Sequence, residues 1–329
     1  MKGKRILPAV LAAALCPLAG CGAQPEPEQF EQTALYFDTV VTISFYAGEN
    51  GEELMEHCMD MCAQFEHIFS RTDSESELYA VNHRTENRVE VSDGIAELVT
   101  VGLEYYEKSG GKFDITIAPL SDIWDFKSED AAVPDAEVIA EATAKVDASK
   151  VHVEGNTLVF DSPDTMLDLG ALAKGYAADA LKEYLTGEGV TSGLINLGGN
   201  VLTIGSRPDG SEWNIGIQKP FGEYSETASV IKVADKTVVS SGIYERYFEQ
   251  DGKLYHHILD PDTGYPVESD IEGISIICDS SLTGDALSTT CLALGPEQAE
   301  ELIRQTEGAE AVIILKNGEV RYTDEGLNE

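Results

Sequence analysis

Basic residues are scarce in this chain. Its 329 residues include 22 lysines and arginines against 59 aspartates and glutamates, which gives a formal net charge of −37. Such a surface repels phosphate backbones, so nucleic acid is excluded as a partner. An anionic ligand must therefore be held locally, by a metal ion or by helix termini, because the overall field does not attract it.

Several common catalytic motifs are also absent from the sequence. There is no P-loop, no G-x-S-x-G and no H-E-x-x-H. Residues 187–193 miss the spacing of a dinucleotide-binding loop by one residue, and they follow a predicted helix instead of a strand. The sequence therefore contains no motif that indicates hydride transfer on a Rossmann domain or serine hydrolysis.

Only one long apolar run is present, and it lies at the N-terminus. Basic residues precede the run at residues 6–18, and small residues precede Cys21. This order is typical of a bacterial lipoprotein signal. We therefore predict a signal peptide at 1–20, a flexible tether at 21–32 and a folded domain at 33–329. A lipid on Cys21 would anchor the protein to the bacterial cell membrane, on the extracytoplasmic side.

The six cysteines fall into different settings. Cys58 and Cys62 lie on the apolar stripe of a predicted amphipathic helix, which favours a place in the core. A metal site with nearby histidines is an alternative, but no second pair of ligands follows. Cys278 and Cys291 lie in apolar surroundings, and a disulfide between them is left open because spacing does not establish one.

The pattern of apolar residues predicts a mixed α+β fold, with a large mixed or antiparallel sheet flanked by helices. Short strands separated by Gly, Pro and Asp turns dominate residues 193–259. The other predicted elements are a strand at 35–46, helices at 52–69, 95–106, 171–185, 283–294 and 296–306, a polar loop at 70–78, and hairpins at 151–160 and around 316–318.

Residues 168–176, Asp-Leu-Gly-Ala-Leu-Ala-Lys-Gly-Tyr, form a glycine-broken helix entry. The free N–H groups of a helix start bind anions, and Gly170 permits a close backbone approach. Lys174 is positioned to balance a pyrophosphate, and Asp168 can accept a hydrogen bond from a ribose or flavin. Taken alone, Lys174 fits an ordinary exposed lysine on an alanine-rich helix better than a phosphate site, and only the accompanying residues favour the phosphate.

Two later segments supply further chemistry. Asp285 and Thr289 stand four residues apart, on one face of a helix, where their oxygens suit Mg²⁺ with few protein ligands. Asp285 could instead cap that helix. His257 precedes a tight turn and is a candidate general base, although its neighbour His256 could be the one that faces the site.

Together these residues resemble the FAD:protein FMN transferase (ApbE) family over about residues 35–320. Seven segments carry the resemblance in order, namely residues 69–78, 111–119, 168–179, 196–200, 241–246, 257–266 and 285–289. The resemblance implies an ApbE-like fold related to the T-fold. It also implies that FAD is cleaved at its pyrophosphate, that FMN passes to a Thr or Ser hydroxyl of an acceptor protein through a phosphodiester bond, and that AMP leaves.

The resemblance further implies a set of site residues. Mg²⁺ would be held by the Ala171 carbonyl, Asp285 and Thr289, with Ser288 beside them. His257 is our first choice for the base, and Asp285 is the alternative. FAD would be contacted by Phe37, Thr72, Lys112, Phe113, Asp114, Asp168, Lys174, His257 and Ile258. The expected acceptors are electron-transfer flavoproteins with an FMN-binding domain.

Two other functions remain open from the sequence. If water attacks in place of the acceptor hydroxyl, the same site makes the protein an Mg²⁺-dependent FAD pyrophosphatase. A flavin-binding lipoprotein that stores FAD without turnover is the other alternative, although an idle binder has no need of a metal pair beside a base.

Overall fold

The computed structural model describes residues 27–128, 130–223 and 226–328. In that part of the chain the α-helices are α1 Gly51–Phe69, α2 Glu77–Asn82, α3 Asp93–Lys108, α4 Ala118–Trp124, α5 Ala136–Thr143, α6 Ala173–Gly187, α7 Ser281–Leu294 and α8 Pro296–Gln305. The strands are β1 Glu28–Tyr36, β2 Thr39–Ala47, β3 Arg88–Glu90, β4 Val151–Glu154, β5 Thr157–Phe160, β6 Gly193–Leu197, β7 Asn200–Ile204, β8 Trp213–Gln218, β9 Thr227–Val233, β10 Thr237–Gly242, β11 Tyr247–Gln250, β12 Lys253–His256, β13 Ile271–Cys278, β14 Glu310–Leu315 and β15 Val320–Tyr322.

A central antiparallel sheet organises the molecule. Its strand order is β1-β2-β6-β7-β10-β13-β14-β15, and smaller sheets join β8 to β9, β11 to β12, and β3 to β5 and β4. The predicted α+β class with a large antiparallel sheet is therefore confirmed. The long predicted helices and the two hairpins are also present, whereas α2, α4 and α5 were not predicted.

The inner strands of the sheet are buried on both faces. Ile276 of β13 packs into the core under the helices, while its neighbour Ile277 packs against the β8–β9 hairpin on the other face. Because successive side chains of a strand point to opposite faces, a doubly covered strand must be apolar at nearly every position. This explains the apolar runs of β13 and β14.

The predicted tether is wrong at its C-terminal end. Residues 28–32 lie in β1, the edge strand of the central sheet, so the folded part begins before residue 33. The predicted signal peptide, Cys21 and tether residues 21–26 lie outside the described residues. No helix in the described ranges is long and apolar enough to cross a membrane.

The four cysteines in the described part of the chain are core residues. Cys58 and Cys62 are buried on α1, as predicted, and burial raises the pKa of each thiol to about 12. Cys278 and Cys291 are buried and free, so the disulfide left open from the sequence is not formed. The described residues contain no group of three or more His, Cys, Asp or Glu side chains arranged to hold a metal.

Helices α6 and α7 cross at Gly175. A Cβ atom at this position would lie 2.4 Å from the Ser281 carbonyl oxygen and 2.6 Å from the Leu282 Cα atom, so only glycine fits. At the same crossing, the Asp179 carboxylate accepts hydrogen bonds from the Ser281 and Leu282 N–H groups at 2.8 and 3.0 Å. Asp179 of α6 therefore caps the start of α7.

We expect Gly175→Ala to destabilise the protein by about 3 kcal/mol, because the added methyl group must push apart two helix backbones. Gly187→Ala is the matched control at the end of the same helix, where an added methyl group would have no atom of the described residues within 4 Å. It should stabilise the protein by up to about 1 kcal/mol, as alanine does in helices. Urea unfolding of both variants would test this, and equal stability of the two would contradict the close crossing.

Candidate active site

One open cleft of about 1300 Å³ gathers residues that are far apart in the sequence. It is bordered by the β1–β2 turn, the loop after α1, the start of α6, the segment after β10 and the exposed side of α7. Its size exceeds that of ordinary small-molecule pockets and leaves room for an extended dinucleotide. Every residue predicted to contact FAD or the metal lines this cleft except Ser288.

Asp285 lies at the floor of the cleft and is 5% exposed. Its Oδ2 atom accepts a hydrogen bond from the Gly175 N–H at 2.6 Å, and its Oδ1 atom accepts one from Asn200 Nδ2 at 3.1 Å. Burial raises the pKa of this carboxyl, and the charge of Lys174 and the Asn200 hydrogen bond oppose the rise. Asp285 therefore presents two oriented carboxylate oxygens at the cleft, and it is not the N-cap of α7, which is Ser280.

The hydrogen bond from Gly175 also changes the start of α6. In a regular helix the N–H of residue 175 would donate to the carbonyl of residue 171. Here that N–H is taken by Asp285, and no backbone N–H of the described residues donates to the Ala171 carbonyl. The helix accordingly begins at Ala173, two residues later than predicted. An unused carbonyl oxygen is left beside the cleft.

Thr289 and Ser288 have different surroundings. Thr289 lines the cleft one turn beyond Asp285, as its spacing predicted. Ser288 is fully buried, and its Oγ lies 2.8 Å from Ser241 Oγ and donates to the Asp285 carbonyl at 3.1 Å. The structure therefore does not bring Ser288 into the cleft, because Ser288 lies on the side of α7 that packs against β10.

His256 and His257 are adjacent in the chain, but their side chains point in different directions. His256 is 5% exposed, turns away from the cleft, and places its Nε2 atom 3.2 Å from the Val267 carbonyl oxygen. His257 lines the cleft, with Nδ1 3.3 Å from the Arg246 carbonyl oxygen. Burial, assisted by the charge of Arg246, lowers the pKa of His257 to about 3. The imidazole is thus neutral at ordinary pH, and a proton on Nδ1 leaves Nε2 free to accept another.

The remaining residues predicted to contact FAD line the cleft, and three charged ones among them, Lys112, Asp114 and Asp168, are also engaged within the protein. The Asp114 carboxylate accepts hydrogen bonds from Thr116 and from the Ala148 N–H, so it orders its own loop. Lys112 forms ion pairs with Asp260 at 3.0 Å and with Asp262. The others in the cleft are Phe37, Thr72, Phe113 and Ile258.

The side chain of Lys174, unlike that of Lys112, is not held by hydrogen bonds or ion pairs within the described residues. It projects from the first turn of α6 into the cleft. Its charge nevertheless lowers the pKa values of Asp285 and Glu245 against the effect of burial. A lysine beside a helix N-terminus, without a partner of its own among the described residues, suits an anionic ligand.

Several cleft residues had no role in the sequence reasoning. Arg71 pairs with Asp168 at 3.1 Å, and Glu245 accepts a hydrogen bond from the Gly242 N–H at 3.0 Å. Desolvation by the surrounding cleft residues raises the pKa of the Glu245 carboxyl. Asn200 orients Asp285, and Gly175 supplies the N–H on its other side. Their segments were recognised as motifs, but only the fold reveals which atoms meet.

This chain is similar in sequence to known proteins over most of its length. A family model described as the ApbE family matches residues 37–313. The chain is 33% identical to an FAD:protein FMN transferase of Treponema pallidum over 332 residues, which cover 95% of this chain and 91% of the relative. It is 32% identical to an FAD:protein FMN transferase of Escherichia coli K12, with coverage of 94% and 92%.

Solved structures of ApbE proteins have the same fold as this chain. The ApbE protein of Thermotoga maritima superposes with a TM-score of 0.84 at 28% identity and covers 92% of this chain and 100% of its own. The apo form of the Pseudomonas stutzeri flavinyl transferase ApbE gives a TM-score of 0.81 at 28% identity, with coverage of 92% and 98%. The predicted ApbE-like fold is confirmed.

The buried His256 predicts an acid-sensitive stability. Burial lowers the pKa of His256 to about 4, below its ordinary value of 6.5. Between these values the unfolded chain binds a proton that the folded chain does not, so stability falls as the pH drops from 6.5 towards 4. At pH 5 this contributes a loss of about 2 kcal/mol relative to pH 7. Urea unfolding at both pH values should show a smaller loss for His256→Phe, and an equal loss would contradict the assignment.

Proposed function

This chain belongs to the ApbE family, and we propose that it moves FMN from FAD to a Thr or Ser hydroxyl of an acceptor protein and releases AMP. Relatives that match over nine-tenths of the chain are FAD:protein FMN transferases, which supports the transferase class and FAD as the flavin donor. The observation that carries the proposal for this chain is the single cleft that joins the α6 start, Asp285 and His257.

The residues fit an Mg²⁺ ion. The Asp285 carboxylate, the Thr289 hydroxyl and the unused Ala171 carbonyl are hard oxygen donors on one cleft. One carboxylate with two neutral oxygens suits Mg²⁺ that takes its other ligands from water and substrate phosphates, and it does not suit zinc. When bound, Mg²⁺ would offset the negative charge of the pyrophosphate.

Lys174 supplies a second positive charge. The pyrophosphate of FAD carries negative charge that rises on the leaving AMP as the bond between the two phosphates breaks. A lysine with no other partner in the described part of the chain, next to the N–H groups of the α6 start, is oriented for that charge before the substrate arrives. Preorganised charge of this kind needs no rearrangement during the reaction.

His257 is the proposed base. The acceptor hydroxyl oxygen forms the new bond to the FMN phosphorus, the bond from that phosphorus to the AMP oxygen breaks, and Nε2 takes the hydroxyl proton. A neutral imidazole with Nδ1 directed at the Arg246 carbonyl is in the correct state to accept it. Asp285 is less suited to this role, because both its oxygens already accept hydrogen bonds that fix the floor of the cleft.

The proposed function includes a location for the enzyme at the membrane surface. Residues 1–21 carry the lipoprotein pattern, which supports a lipid anchor on Cys21 at the extracytoplasmic side of the membrane. Acceptors with an FMN-binding domain in membrane electron-transfer chains would then meet the enzyme at the same surface. A Cys21→Ala variant that still partitions with membranes would contradict the anchor.

The transferase reaction is tested by mass spectrometry. The purified chain is incubated with FAD, Mg²⁺ and a protein that carries an FMN-binding domain, with and without a chelator. We expect the acceptor to gain one FMN phosphate ester on a Thr or Ser, and the chelator to abolish the gain. FMN and AMP with an unmodified acceptor would favour hydrolysis, whereas intact bound FAD would favour a carrier.

Asp285→Asn should abolish the Mg²⁺-dependent reaction while the protein still folds. The amide oxygen can accept the Gly175 N–H, but the negative charge for the metal is lost. Activity should fall by about a hundredfold or more, in line with the loss of one preorganised electrostatic group. The control is Asp279→Asn, the same change at an exposed carboxylate just before α7. Unchanged activity in Asp285→Asn would exclude this residue from the reaction.

His257→Gln should separate binding from chemistry. Glutamine retains polar contacts in the cleft but is no base, so the transfer rate constant should fall by about a hundredfold to ten-thousandfold. The Kd for FAD, measured by flavin fluorescence, should change by less than about threefold, because a neutral histidine adds no charge to the site. A large loss of FAD affinity with an unaltered rate constant would make His257 a binding residue instead.

A further inference from the structure

Most large hydrophobic side chains of the described residues are buried, but two of the exposed ones lie next to each other beside the cleft. Within the described ranges, Phe221 is 44% exposed and Tyr247 is 43% exposed. Their ring centroids are 5.3 Å apart in an edge-to-face arrangement, and Phe221 also packs edge-to-face against Tyr244 at 6.0 Å. Tyr244 lines the cleft. These three rings, here called the aromatic rim, therefore continue the wall of the cleft onto the surface.

The backbone at Phe221 is strained. The turn 219–222 is closed by a hydrogen bond from the Gly222 N–H to the Lys219 carbonyl at 3.1 Å, and Phe221 occupies its third position with φ of 55°. Glycine or asparagine is usual there, because a bulky side chain is disfavoured at positive φ. An exposed phenylalanine stabilises neither the turn nor the core. Such strain is found where a side chain is held for binding.

The other side of the rim is held firmly. Tyr244 packs over Gly242, where an added Cβ atom would lie 2.1 Å from its ring, and over Gly273, where the distance would be 3.2 Å. Glu245 accepts a hydrogen bond from the Gly242 N–H, which fixes the turn that leads from β10 to β11. The rim is thus an ordered surface and joins the cleft through the same turn that carries Arg246.

We propose that the aromatic rim binds the acceptor polypeptide, through an apolar side chain a few residues from the hydroxyl that receives FMN. This inference rests on the proposed function, which requires a protein to reach the cleft from solvent. A chain of net charge −37 offers little long-range attraction to an ordinary acidic partner. Short-range apolar contact with rigid aromatic rings is the available source of affinity, and aromatic residues dominate such contacts.

The test compares Phe221→Asn with the wild-type protein. Asparagine tolerates positive φ, so this variant should be at least as stable in urea unfolding while the ring is lost. We expect the KM for the acceptor protein to rise about tenfold and the KM for FAD to stay within about twofold. Tyr247→Ser should act in the same direction. Val138→Ser is the control, since it removes an exposed apolar side chain of α5 that does not line the cleft.

Each outcome has a defined meaning. If the wild-type protein modifies the acceptor and Phe221→Asn leaves the acceptor KM unchanged, the inference is overturned and the proposed function stands. A rise in the KM for FAD alone would assign the rim to the nucleotide site and would also overturn it. Light scattering that shows a wild-type dimer converted to a monomer by Phe221→Asn would overturn it as well, because the rim would then be a contact between copies of this chain. If the wild-type protein transfers no FMN to any acceptor, the proposed function fails first.

Discussion

The hydrogen bond from the Gly175 N–H to Asp285 is the contact on which the rest of the site depends. It requires α6 and α7 to approach so closely that residue 175 has no room for a side chain. It orients one oxygen of Asp285, while Asn200 orients the other. By diverting the N–H from its helical acceptor, it also frees the Ala171 carbonyl. A single packing constraint therefore sets two of the three proposed metal ligands, and a carboxylate held on both sides keeps its position when a cation arrives.

Charge in this protein is organised on two scales. The surface as a whole is strongly acidic and repels a free dinucleotide. Within the cleft, however, Lys174 stands at a helix start without a counter-ion from the described residues, and Arg71 and Lys112 are each held by carboxylates beside it. In the proposed function, binding of FAD would depend on close contact with these groups and on the proposed Mg²⁺ ion. Because the overall field repels an anionic dinucleotide, its selection would rest on shape and local charge.

How much could be read from the sequence depended on the range of the interactions. The amphipathic helix with Cys58 and Cys62, the long helices and the ApbE-like segments were predictable because they rest on local periodicity and on ordered motifs. The short helices α2, α4 and α5 were missed, because they span about two turns or less and depend on tertiary packing. Residues 28–32 are polar enough to suggest a tether, yet β2 provides a partner and makes them an edge strand. Ser288 was expected beside the metal ligands from the family resemblance, but a motif does not show that this residue lies on the side of α7 that contacts Ser241.

The arrangement separates the groups that act on FAD from those that would meet the acceptor. Asp285 on α7 and the segment from Ala171 into α6 lie at the close crossing of these two helices, where dense packing restricts movement. The aromatic rim instead exposes its side chains, and Phe221 accepts backbone strain to keep a ring there. A transferase for a small donor and a large acceptor needs this division, since the donor must be held rigidly while the acceptor enters and leaves. An acceptor docked on the aromatic rim as proposed would keep water from the phosphorus, so the surface beside the site would favour transfer over hydrolysis.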